Sequence, residues 1–186
     1  MSKITVKEVL LACAQMLGLD DTVEYLNAPS QEKNAGETEE LLRCFNIVEN
    51  EVALDYLPLY AETEVETQTG AVQYACLPNA IVRVLRVCDE WGNSVPFKIF
   101  PDHIQTQSGK IKIAYTYAPE SKALDGESDY TVQASARLFA YGVATEYSLA
   151  KGMFEEASVW DKKYKDAITS AYRSRPCRIL RSRRWA

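Results

Sequence analysis

The chain has 186 residues, 47% of them apolar and 25% charged, with a formal net charge of −5, enough to bury a core without disulfides or metals. No stretch approaches the ~18 consecutive apolar residues of a membrane span, and the N-terminus enters an amphipathic pattern at once, so neither a membrane anchor nor a signal peptide is expected. Cysteines at 13, 44, 76, 88 and 177 form no C-x-x-C pair and read as buried free thiols; the lone histidine, His103, lacks the partners of a zinc site or a catalytic triad.

Thr5-Val6-Lys7-Glu8 fits a capping box, and Val6, Val9, Leu10, Cys13, Met16 and Leu17 form one stripe, predicting a helix over about 5–17 closed by Gly18. A short helical turn is expected at 21–27, then a polar loop over 29–37. Asn34 with Glu37 would cap a helix over about 36–56, with its stripe at Leu41, Phe45, Val48, Val52 and Tyr56 and its end at Pro58.

The period then changes to two. Strands are predicted at Leu59–Thr67, Val72–Leu77, Ile81–Asp89, Val95–Phe100 and Lys110–Tyr117, with turns at Gly70, Trp91-Gly92-Asn93 and Ser108-Gly109. The fourth strand is expected to return antiparallel to the third. After a polar loop over 118–128, Ser128 or Asp129 would cap a helix to about Ala150, with Val132, Ala136, Phe139, Val143 and Tyr147 facing the core. The link Lys151-Gly152 leads to a last helix over about 153–172, its stripe including Phe154, Ala157, Trp160, Tyr164 and Ile168.

The expected fold class is α+β: a four-helix bundle with a β-rich insertion between helices 2 and 3 and an extended C-terminal arm. The expected divisions are 1–57 for the N-terminal helices, 58–118 for the insertion, 119–172 for the helical hairpin and 173–186 for the arm. The arm begins at Arg173 and carries Arg175, Arg178, Arg181, Arg183 and Arg184 with no acid. Residues 1–172 keep 15 basic against 26 acidic residues, a net −11.

An arginine-rich segment with Ile179, Leu180 and Trp185 suits docking into an acidic crevice of a protein, through bidentate bonds and apolar anchors. Extended, its 14 residues reach roughly 45 Å. Arginine and tryptophan equally suit nucleic acid, and a solvated tail is the third reading. Glu62, Glu64 and Glu66 share one strand face: either a solvated edge that resists aggregation, or a face turned to a channel or a neighbouring subunit. Nucleophile motifs, phosphate loops and zinc spacings are missing, so no catalytic, cofactor or metal residues are expected.

Several segments carry a family likeness: the N-terminal helices, Leu77-Pro78-Asn79-Ala80-Ile81-Val82-Arg83-Val84, Gly109-Lys110-Ile111-Lys112-Ile113-Ala114-Tyr115, Tyr141-Gly142-Val143-Ala144-Thr145-Glu146-Tyr147 and Phe154-Glu155-Glu156-Ala157 before Trp160. In pattern and order across nearly the whole chain, with no single diagnostic motif, it resembles the head-to-tail adaptors of tailed phages: the podovirus tail-tubular type and the related siphovirus connectors. The resemblance implies a non-enzymatic virion protein, assembled in the host cytoplasm, that forms a ring, commonly of twelve, in the neck. Such a ring extends the DNA channel below the portal without sequence-specific DNA contact. The arm would dock on the portal protein, and the far side would receive a tail tube, nozzle or tail-completion protein.

Overall fold

A computed structural model describes residues 3–28 and 35–173. The elements run α1 (Val6–Leu17), α2 (Asp20–Asn27), α3 (Ala35–Glu51) with a π-helical turn at Val52–Tyr56, β1 (Leu59–Thr67), β2 (Ala71–Gln73), β3 (Ala80–Asp89), β4 (Lys98–Ile99), β5 (His103–Gln105), β6 (Gly109–Ala118), α4 (Ala136–Ala150) and α5 (Phe154–Arg173).

The expected four-helix bundle with one β insertion does not form. Among the described residues there are five helices and two small antiparallel sheets, ordered β1-β6-β3 and β2-β5-β4. The segment read as a short turn is the two-turn helix α2, which buries Thr22 and Leu26 and packs on α1 and α3. The β region divides because β6 pairs with both β1 and β3, while β5, which the strand reading missed, gathers β2 and β4. Val95–Phe100 therefore does not return along β3 as a strand. A single bridge, Cys88 with Ser94, is all that remains of that pairing.

The caps behave as their chemistry dictates. Thr5 Oγ1 accepts from Glu8 N at 3.2 Å, and Gly18 closes α1 at φ 70°. At α4 the start moves seven residues beyond the expected one, to a cap by Ser135, whose Oγ accepts from Leu138 N. Residues 128–134 are held elsewhere. Ser128 Oγ donates to Glu49 Oε1 at 2.5 Å, Asp129 N donates to the same oxygen at 3.1 Å, and buried Tyr130 donates to the Leu57 carbonyl at 2.6 Å. These bonds strap the loop before α4 onto α3, where Asn46 also receives Lys122 N at 2.6 Å. Val132, expected on a core stripe, is consequently 68% exposed.

Helix α4 is the hub, in contact with α1, α3 and α5. Its buried face carries Phe139, which packs on Phe45 of α3 and on Tyr130 at ring distances of 5.7 and 5.5 Å. Glu37 joins three helices by accepting from Thr22 of α2 at 3.1 Å and from Tyr147 of α4 at 2.5 Å. On α5, Tyr164 and Ile168 enter this core and Trp160 packs partly buried against it, as the expected stripe has them, and Ala157 is buried; Phe154, 70% exposed, departs from that stripe. A second core forms between the sheets from Val72, Val84, Val87, Ile104, Ile111, Ile113 and Tyr115. Tyr117 touches both cores and ties the sheets to the helices.

Candidate interaction surfaces

The three predicted glutamates come together on the solvent face of the β1-β6-β3 sheet. Alternation along β1 sends Leu59 and Thr67 inward and leaves Glu62, Glu64 and Glu66 exposed. Their partners on β6 are Ala114, Lys112 and Lys110. Lys112 Nζ lies 3.7 Å from Glu62 and 3.5 Å from Glu64, so the acidic column is partly answered within its own sheet. At exposed sites such pairs contribute well under 1 kcal/mol, and the face stays open to solvent.

The opposite edge of this sheet carries arginine, which the strand reading left unused. Arg83 and Arg86 are three apart, a spacing that a regular strand sends to opposite faces. Two bulges, between Ile81 and Arg83 and between Val84 and Arg86, add one residue each and return both arginines to the solvent face, opposite Thr116 and Ala114. Val84 and Val87 are buried at the same three-residue spacing, which the structure and not the period-two pattern reveals.

Beyond the ends of β1 and β6, an open cleft of about 560 Å³ is lined by Glu66, Asp89, Trp91, Lys110 and others, with Trp91 exposed on its rim. Asp89 accepts from the backbone of Trp91 and Asn93 and from the Asn93 side chain; desolvation pushes its carboxyl up, but the hydrogen bonds from Asn93, Trp91 and Gly92 together outweigh it and hold the carboxyl below the usual range. This shapes the turn and occupies the Asp89 carboxylate, while Glu66 and Glu90 also line the cleft.

A groove of about 340 Å³ runs between α3, α4 and α5, lined by Glu51, Glu146 and Asp161 beside Leu149, Phe154 and Tyr164. Burial pushes the Glu51 carboxyl above its ordinary range, and the neighbouring charges of Glu146 and Asp55 push in the same direction against hydrogen bonds from Tyr164 and Tyr56. Lys165 answers Asp161 at 2.7 Å. His103, expected in a turn, sits on β5 with Nδ1 2.7 Å from Asp102 Oδ1 and its ring stacked on Phe100. Among the described residues no three His, Cys, Asp or Glu side chains gather to hold a metal ion. Cys13, Cys44 and Cys88 are buried as expected, but Cys76 is exposed.

Of the arm, Arg173 is the exposed last residue of α5. Arg175, Arg178, Ile179, Leu180, Arg181, Arg183, Arg184 and Trp185 lie outside the described residues, as do the expected cap Asn34 and most of the polar loop before α3.

No protein-family model matches the chain, and no curated protein matches it. The surfaces themselves therefore carry the functional argument.

Proposed function

We propose that this chain is a structural ring subunit, a head-to-tail adaptor of a tailed phage. It would sit beneath the portal, extend the DNA channel and offer the tail its platform. The observation that carries this reading is the separation of charge. Residues 1–172 carry a net −11, and the chain runs through a 20-residue helix, α5, whose last residue is the first of six arginines over 173–186, a stretch with no acid. Opposite charges placed on a body and its terminal segment suit a part that stands in one assembly and fastens to another. Among the described residues, thirteen exposed large apolar side chains, including Ile47, Leu54, Phe154 and Val159 on the helices, are further surface for neighbours to cover.

The test deletes residues 174–186. The shortened chain is expected to keep its circular dichroism and melting temperature but to lose retention on purified portal rings. Normal assembly of the shortened chain on portals would refute the docking role. The same protein titrated with duplex DNA separates the rival reading. Sub-micromolar binding at physiological salt with a steep salt slope, lost with residues 174–186, would make the segment a nucleic-acid contact instead.

A further inference from the structure

The β1-β6-β3 sheet ends in two edges of opposite charge. On its solvent face β1 contributes Glu62, Glu64 and Glu66, and β3 contributes Arg83 and Arg86. Among the described residues no backbone hydrogen bond covers the outer side of β1, and on β3 the segment 93–95 covers only the Val87–Asp89 end. Apolar side chains stand at both margins: Tyr60 on β1 is 59% exposed, and the bulge residues Val82 and Leu85 on β3 are 48% and 43% exposed.

We infer that copies of this chain join side by side through this sheet, the acidic β1 margin of one copy against the basic β3 margin of the next. The inference rests on the ring reading above and names the surface by which the ring would close.

Charge decides the pairing. A two-fold dimer through β1 would align glutamate columns, and one through β3 would align arginines. Both are repulsive, because like charges on adjacent strands oppose association. Only the β1-to-β3 arrangement sets opposite signs together, and that contact is head-to-tail, the kind that closes into rings. Strand direction agrees: β1 and β3 both run antiparallel to β6, hence parallel to each other, so a repeated copy presents β1 alongside β3 without turning over. The bulges interrupt the regular ladder of donors on β3, so side chains, led by carboxylate–guanidinium pairs and covered Tyr60, Val82 and Leu85, supply the contact rather than a continuous backbone ladder.

The experiment is a charge swap on the full chain. One variant carries Glu62→Lys, Glu64→Lys and Glu66→Lys, a second Arg83→Glu and Arg86→Glu, and a third all five. Sedimentation velocity and native mass spectrometry follow self-association, alone up to about 1 mM protein and on portal rings. Thermal unfolding checks that each variant folds. Each single-margin variant is expected to weaken self-association at least ~tenfold, more so at low salt. The two single-margin variants mixed are expected to associate with each other in alternation, and the five-fold variant to recover to within about threefold of the parent. Equal association by all variants would overturn the inference, and so would a parent chain that never self-associates in either setting. Self-association through these margins without any binding to portal rings would instead overturn the adaptor reading and leave the margin contact standing.

Discussion

Gly142 sits in the middle of α4, where local propensity and tertiary packing make opposite demands. By propensity alone, Gly142→Ala in a helix interior stabilises by about 0.5–1 kcal/mol. The packing forbids it. A Cβ at 142 would lie 2.5 Å from Val48 Cγ1 of α3 and 3.0 Å from Tyr164 Cε2 of α5. Val48 is fully buried and Tyr164 nearly so, and Tyr164 is further held by its hydroxyl 3.3 Å from Glu51, so neither yields freely. Overpacking of this kind costs about 1–3 kcal/mol. The net expectation is a loss of about 1–2 kcal/mol, read as a drop in melting temperature of about 3–6 °C for a chain of this size. Urea melts of Gly142→Ala, Val48→Ala and the double variant complete the test. The new methyl group occupies space vacated by the valine, so the double variant is expected to be more stable than the summed single effects by about 1 kcal/mol. A Gly142→Ala variant that melts above the parent would refute the claim that α3 and α5 meet α4 at this glycine.

Two further outcomes follow from buried titratable groups. Glu49 is buried with Oε2 unpartnered, and burial raises its carboxyl pKa above the ordinary range. A raised acid pKa means the folded state holds the proton more tightly. Stability is therefore lost as pH climbs from the unfolded value through the folded one, and the penalty is complete above it. Glu49→Gln is expected to gain about 1 kcal/mol at pH 7 and nothing once pH falls below about 4, read from urea midpoints at the two pH values; a loss at both would show the charged carboxylate to be net favourable. Burial pushes the Cys13 thiol up to about 12 and that of Cys44 up to about 11, while Cys88 is buried and Cys76 exposed. In a Cys177→Ser background at pH 8, one thiol is expected to react promptly with Ellman's reagent and three only on unfolding, since a thiol with pKa near 11 is about 0.1% thiolate there. Prompt reaction of more than one would contradict the burial of Cys13, Cys44 and Cys88.

The sequence by itself determined the features that depend on near neighbours. The capping threonine and closing glycine of α1, the period-two alternation of β1 and β6, and the link between α4 and α5 all rest on contacts within a few residues, and each lies where its pattern put it. The separation of an acidic body from a basic end is likewise composition alone. What spans long stretches of chain had to await the tertiary structure. Residues 128–134 carry a helix-compatible pattern, but Glu49, 79 positions earlier, competes for Ser128 and holds the segment as a strap. Strand β6 pairs with β1 and β3 rather than leaving β3 to β4, because only the assembled inter-sheet core rewards those long-range pairings. The arginine margin exists for the same reason. A period-two reading scatters Arg83 and Arg86, and only the bulges forced by packing Val84 and Val87 against Tyr115 and Ile113 bring the two charges to one face.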